Sequence, residues 1–130
     1  MNIGEAAKIS GISAKMIRYY EEAGLIQPAA RTESNYRVYT AKDLDVLRFV
    51  HQARQLGFSI KQIGALLALW EDRNRPSREV KRLAQAHIDE LEHRIQALME
   101  MRDTLRHLAD HCRGDARPEC PILEGLIHQH

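Results

Sequence analysis

Apolar residues recur along this chain at helical spacing, in four short runs and one long one, and polar residues punctuate the runs. The first run predicts a helix over residues 3–9, followed by the turn Ser10-Gly11-Ile12. Ser13 is placed to cap a second helix through Met16, Ile17 and Tyr20 to Ala23, with Gly24 in the left-handed position beyond its end. Residues 28–35 read as loop, and Tyr36-Arg37-Val38-Tyr39 is the only segment with the alternation and composition of a strand. Thr40 caps a third helix to about Leu56, ended by Gly57. Ser59-Ile60-Lys61-Gln62 is a capping box that opens a fourth helix ending near Trp70.

The long run differs in kind. A polar linker over residues 71–77 ends on Ser77, which is placed to cap a helix over residues 78–111. Within it Ala84, Ile88, Leu91, Ile95, Leu98, Arg102, Leu105 and Ala109 step by alternating fours and threes, the spacing of a coiled-coil seam. Such a helix is roughly 50 Å long at 1.5 Å per residue. A chain of 130 residues has little left with which to cover that seam, so a second copy is expected to do so, with antiparallel and parallel pairing both open. Arg102 weakens the seam locally. The expected fold class is all-α with a small β-wing. Residues 1–70 form a winged helix-turn-helix head, residues 78–111 a dimerisation helix, and residues 112–130 a terminal loop with a short helix at about 121–127.

Charge sharpens this division. The formal net charge is only +1, but residues 1–61 hold nine Lys/Arg against six Asp/Glu, and residues 62–130 hold ten against twelve. A basic first part ahead of an acidic second part fits a DNA-reading head on a separate body. No stretch approaches the roughly 18 apolar residues of a membrane span, and the N-terminus lacks the pattern of a signal peptide. The expectation is a cytoplasmic protein with no membrane partner, whose thiols stay reduced.

The second predicted helix carries Ser13, Lys15, Arg18 and Tyr19 on or near one face, while Ile12, Ile17 and Tyr20 can face a core. In a helix-turn-helix this second helix enters the major groove, where Arg and Lys read guanine or grip phosphate and hydroxyls add phosphate contacts. Asn35-Tyr36-Arg37-Val38-Tyr39 reads as a wing with an arginine at the DNA backbone. Arg54 is either a further phosphate contact or a solvated charge.

Cys112 and Cys120 are the only cysteines, and seven residues including Gly114 and Pro118 separate them. Pro121 can take the first position of a final helix, which makes Cys120 its N-cap and favours the thiolate there. Two sulfurs alone suit linear coordination of a monovalent d¹⁰ ion, Cu(I), Ag(I) or Au(I), whereas zinc wants four ligands. His111, His128 and His130 lie close enough in sequence for a mixed site, or are plain surface residues. A reversible disulfide between the two cysteines is a further reading. Two cysteines fall short of the four an iron–sulfur cluster needs. The roughly 20 residues after the long helix are too few for a pocket that buries a drug-sized molecule. Nothing in the chain supplies an enzyme's nucleophile–base pair or a phosphate-binding glycine loop.

Three motifs together, Ile-Arg-Tyr-Tyr-Glu-Glu-Ala-Gly-Leu-Ile at 17–26, Asn-Tyr-Arg-Val-Tyr at 35–39 and Arg-Gln-Leu-Gly-Phe-Ser-Ile-Lys-Gln-Ile at 54–63, resemble the MerR family of regulators. The resemblance spans the whole chain. It implies an antiparallel dimerisation helix and DNA contacts at Lys15, Arg18, Tyr19, Tyr36, Arg37 and Arg54. The cysteine pair and its loop resemble those of the family's copper-efflux (CueR-like) subgroup, which implies one Cu(I), Ag(I) or Au(I) per chain on Cys112 and Cys120. Divalent-metal sensors of the family place a cysteine where this chain has Ser77, so Ser77 is assigned to metal selectivity. The family further implies a homodimer on double-stranded promoter DNA that acts with RNA polymerase. The resemblance also implies that it activates metal-efflux promoters by distorting the operator.

Overall fold

The structure, a computed structural model, describes residues 1–128. It divides into two compact units, Met1–Leu83 and Ala84–His130.

The first unit opens with α1 (Ile3–Ser10) and α2 (Ala14–Glu22). Asn2 caps α1 by accepting the Glu5 N–H at 2.8 Å, and Ser13 caps α2 by accepting the Met16 N–H at 3.2 Å. The turn between them depends on Gly11, whose φ of +81° is the left-handed conformation that L side chains avoid. A Cβ there would also sit 3.3 Å from the His51 imidazole. α3 (Ala41–Gln55) and α4 (Ile60–Glu71) begin at the predicted capping residues. Thr40 and Asp43 exchange side-chain and backbone bonds, as do Ser59 and Gln62, which satisfies helix-end N–H groups that would otherwise lack a partner.

The apolar faces of these four helices meet in one core. Ile17, Leu47, Val50 and Ile63 are its largest fully buried side chains, joined by Ala6, Ile12 and Tyr20. Burial of each large side chain contributes about 1.5–3 kcal/mol. Phe49 and Trp70 stack with centroids 4.9 Å apart at 7°.

The wing corrects the sequence reading. Residues 28–35 are not all loop: β1 (Ala30–Arg31) pairs antiparallel with β2 (Arg37–Val38), with Ala30 opposite Val38 and Arg31 opposite Arg37. Two residues are too short to show alternation, and their pairing is settled by the turn between them. There Asn35 takes a positive φ of 66°, and the Thr32 hydroxyl accepts the Tyr36 N–H at 3.2 Å. Tyr36 and Tyr39 flank β2 rather than belong to it.

α5 (Ser77–Asp110) begins one residue early, so Ser77 occupies the first helical position instead of standing ahead of it. The Pro76 carbonyl accepts the Glu79 N–H at 3.1 Å, and the proline is preset for helix entry. In the second unit, the seam residues Ile88, Ile95, Leu98 and Leu105 are 46–62% exposed on the single chain. Arg102 pairs with Asp103 at 2.9 Å. α6 (Pro121–His128) closes the described chain. It comes so near the end of α5 that a Cβ added to Gly125 would lie 2.6 Å from Leu108 Cδ2. Among the described residues no helix is long and apolar enough to cross a membrane.

Candidate nucleic-acid interface and thiol pair

α2 presents Lys15, Arg18 and Tyr19 outward while Ile17 and Tyr20 anchor its other face in the core. Tyr36, at the tip of the wing, is 72% exposed. Arg54 lies exposed in the last turn of α3. The six residues singled out from the sequence thus share the first unit, and five of them are open to solvent.

Arg37 is the exception. It is half-buried, and its Nε donates to Glu21 Oε2 at 3.2 Å. The other Glu21 oxygen accepts the Tyr39 hydroxyl at 2.7 Å. Glu21, itself only 6% exposed along its side chain, thereby joins the end of α2 to both sides of Val38 on the wing. Burial, then the hydrogen bond and charge of Glu21, raise the Tyr39 hydroxyl well above the usual tyrosine range, so it stays a donor. Nothing local in the sequence marks Glu21 for this role. Its partners lie 16 and 18 residues away, and only its place in the 17–26 motif marked it.

The two cysteines are free thiols, each partly buried. Cys112 continues the last turn of α5, with its N–H donating to the Ala109 carbonyl at 3.0 Å. Cys120 stands immediately before Pro121, and its carbonyl accepts the Glu124 N–H at 3.1 Å, which makes it the residue that caps α6. The loop between them turns at Gly114, with φ of +64°, and Asp115 accepts the Arg117 N–H at 2.9 Å. The Cys120 thiol is held below its ordinary value, first by the Leu123 N–H. The Ile122 N–H and the Cys112 side chain add to this, while desolvation and the Glu124 carboxylate oppose it. These two N–H groups belong to the open end of α6, where negative charge is favoured. In a Cys112→Ser chain, the ultraviolet thiolate absorbance of Cys120 should therefore develop at lower pH than for an ordinary cysteine. Titration in the ordinary range would remove the helix end as the cause.

Neither His111 nor His128 joins the two sulfurs in a metal-holding group of three among the described residues. His111 Nδ1 contacts the His107 carbonyl at 2.7 Å, and His128 Nε2 lies 3.7 Å from Glu124 Oε2. His130 lies outside the described residues. Among the described residues no three His, Cys, Asp or Glu side chains converge as a metal-holding group. The sulfur pair is a donor set whose chemistry fits a soft ion of low coordination number.

Comparison with known proteins agrees with a DNA-binding head on a long helix. Residues 1–70 match the family described as "MerR HTH family regulatory protein", and residues 44–108 match "MerR, DNA binding". The chain is 63% identical over 128 residues to "Heavy metal-dependent transcription regulator 2" of Rhizobium meliloti, covering 98% of this chain and 87% of that one. It is 44% identical over 126 residues to "HTH-type transcriptional regulator CueR" of Escherichia coli, covering 97% and 93%. Among solved structures, the regulator PbrR691 of Ralstonia metallidurans in complex with lead(II) superposes with a TM-score of 0.83 at 31% identity, covering 97% and 98%. This chain belongs to the MerR family of helix-turn-helix regulators. It is a DNA-binding regulator of transcription and not an enzyme.

Proposed function

We propose that this regulator responds to a monovalent coinage-metal ion, Cu(I), Ag(I) or Au(I), through Cys112 and Cys120, and belongs with the copper-efflux (CueR-like) regulators. The observation that carries this reading is the sulfur pair itself. Cys120 caps α6 with its thiol pulled toward the thiolate by the Leu123 and Ile122 N–H groups and by Cys112. Two thiolates and a monovalent ion leave a single negative charge, which those N–H groups are placed to stabilise. By the family resemblance, divalent-metal sensors carry a cysteine at the position of Ser77, the first of α5, and its replacement by serine here supports a monovalent ion. The 63% relative named for heavy-metal dependence and the CueR relative support the metal response.

The rest of the proposal concerns the DNA. Residues 1–70 form the DNA-binding domain, residues 71–77 a linker, residues 78–111 the dimerisation helix and residues 112–130 the metal loop with its short helix. The exposed seam of α5 is covered by a second copy in an antiparallel coiled coil, giving a cytoplasmic homodimer with one head per half-site of the promoter. Lys15, Arg18 and Tyr19 enter the groove, Tyr36 and the Arg37 guanidinium meet the backbone beside the wing, and Arg54 grips a further phosphate. When the thiols close on their ion, the loop between them orders and the heads change angle. The bound operator bends and untwists so that RNA polymerase engages both promoter elements. That deformation costs about 1–6 kcal/mol, supplied by contacts that differ between the two protein states.

Anaerobic titration of the reduced protein with Cu(I) against a competing chelator, with Zn(II) in parallel, tests the metal assignment. One tight Cu(I) per chain with weak Zn(II) is expected, and tight Zn(II) with weak Cu(I) would overturn it. A disulfide switch is the second reading, favoured by the hydrogen-bonding reach between Cys112 and Cys120. It predicts no tight binding of either ion and reversible loss of both thiols on mild oxidation. Arg18→Ala should weaken operator binding by about 1–3 kcal/mol, the worth of a good base contact, with metal affinity unchanged. An unaltered footprint would take Arg18 out of the groove.

A further inference from the structure

The end of α5 and the residue just beyond it carry a feature that neither DNA binding nor the thiol pair uses. His107 and His111 are four residues apart, both exposed, and their rings lie side by side in a tilted arrangement with centroids 4.3 Å apart at 48°. We propose that they form a second metal site, an imidazole chelate for a borderline divalent ion such as Zn(II), Ni(II) or Cu(II).

Three observations carry the proposal. Side chains four apart on a helix are neighbours on its surface, so one ion can bridge two imidazoles without distorting the backbone. This is the spacing at which helical histidine pairs ligate zinc. The contact of His111 Nδ1 with the His107 carbonyl at 2.7 Å fixes the tautomer. A carbonyl oxygen only accepts, so the hydrogen sits on Nδ1, and the neutral ring carries its lone pair on Nε2. Metal-ligating histidines are ordinarily oriented by such a bond from the other ring nitrogen. Finally, imidazole prefers borderline ions while thiolates prefer soft monovalent ones. The described residues do not merge the two pairs into one cluster of three or more donors. The two pairs therefore sort metals by softness: coinage ions on sulfur, borderline divalent ions on nitrogen. An ion bridging His107 in the final turn to His111 just past it would fasten the chain leaving α5 to the helix end, so the second ion would act on the stiffness of the thiol loop's anchor.

The test uses the full-length chain with Cys112→Ser and Cys120→Ser, which removes sulfur ligation and thiol oxidation and makes the result independent of the proposed sensing site. Cu(II) is the probe, added below one equivalent and followed by electron paramagnetic resonance and by competition with a chelator. One Cu(II) per chain with nitrogen hyperfine structure is expected. His107→Gln or His111→Gln should each weaken it by more than about tenfold, the scale on which even outer-shell partners of a ligand act. His128→Gln should leave it unchanged. Glutamine keeps the helix, and far-UV circular dichroism of each variant verifies this. Affinity unchanged in the His107→Gln, His111→Gln double variant, or lost instead in His128→Gln, would overturn the proposal.

Discussion

A Cys112→Ser or Cys120→Ser chain should lose metal-induced transcription while still occupying its operator. The argument rests on where the two sulfurs sit. Cys112 extends the end of α5 and Cys120 caps α6, so an ion held between them ties one helix end to the other across the loop. With one sulfur replaced by a hydroxyl, the soft ion loses half of a two-ligand set and the tie is cut. A ligand shifts a conformational equilibrium only by its differential affinity for the two states. Removing that difference leaves the roughly 1–6 kcal/mol of operator deformation without a source. None of the side chains assigned to the groove is within 50 residues of either sulfur in sequence, so the affinity of the unliganded protein for the operator should persist. Reporter transcription and an electrophoretic shift, measured on the same variants, separate the two effects. Retained induction in either variant would remove that cysteine from the sensing site. Loss of operator binding would mean that the serine damaged the fold or the dimer.

Glu21→Ala should give the largest stability loss of any single polar substitution in the head. Its carboxylate is buried and serves Arg37 and Tyr39 together. Hydrogen bonds to charged groups contribute about 1.5–3 kcal/mol each, and a buried donor left without its acceptor adds its own desolvation cost. Breaking a fully buried ion pair costs about 3–5 kcal/mol. Arg37 is partly open to water, so a loss of about 2–3 kcal/mol is the expectation from those two ranges. For comparison, Glu22→Ala, exposed on the same helix, should stay within about 0.5 kcal/mol of the parent. Urea denaturation of the two variants decides the matter. If they prove equally stable, Glu21 is not the tie between α2 and the wing. Operator affinity should fall in Glu21→Ala although Glu21 itself touches no DNA, because the wing's seat on the recognition helix is loosened.

The fold was legible wherever its cause is local. Ser13, Thr40 and Ser59 each cap the helix that their spacing announced, because a cap is made within three residues. Cys120 as a helix cap was readable for the same reason, from the proline that follows it. The heptad repeat of α5 can be read without knowledge of a partner, and Ile88, Ile95, Leu98 and Leu105 stay exposed on the single chain. What the sequence concealed depends on distance. β1 exists only because β2 pairs with it, and the carboxylate shared by Arg37 and Tyr39 links residues that no periodicity connects. His107 and His111 have the four-residue spacing of helical neighbours, a signal as local as a cap. The position of Ser77 shifted by one residue because a proline before a helix start serves either as its boundary or as its first support.

The near-contact of Gly125 with Leu108 has a consequence for how such a sensor is retuned in evolution. A methyl group at that point would meet the tip of the Leu108 side chain, which must turn aside to admit it. Bulk added there would repack α6 against the end of α5 while leaving both sulfurs and every groove-facing side chain chemically intact. If the proposed sulfur site sets the metal, dose threshold and metal identity would then be inherited through different residues. A lineage could drift in how much metal it tolerates before responding, one side-chain volume at a time, without revisiting which metal it answers to.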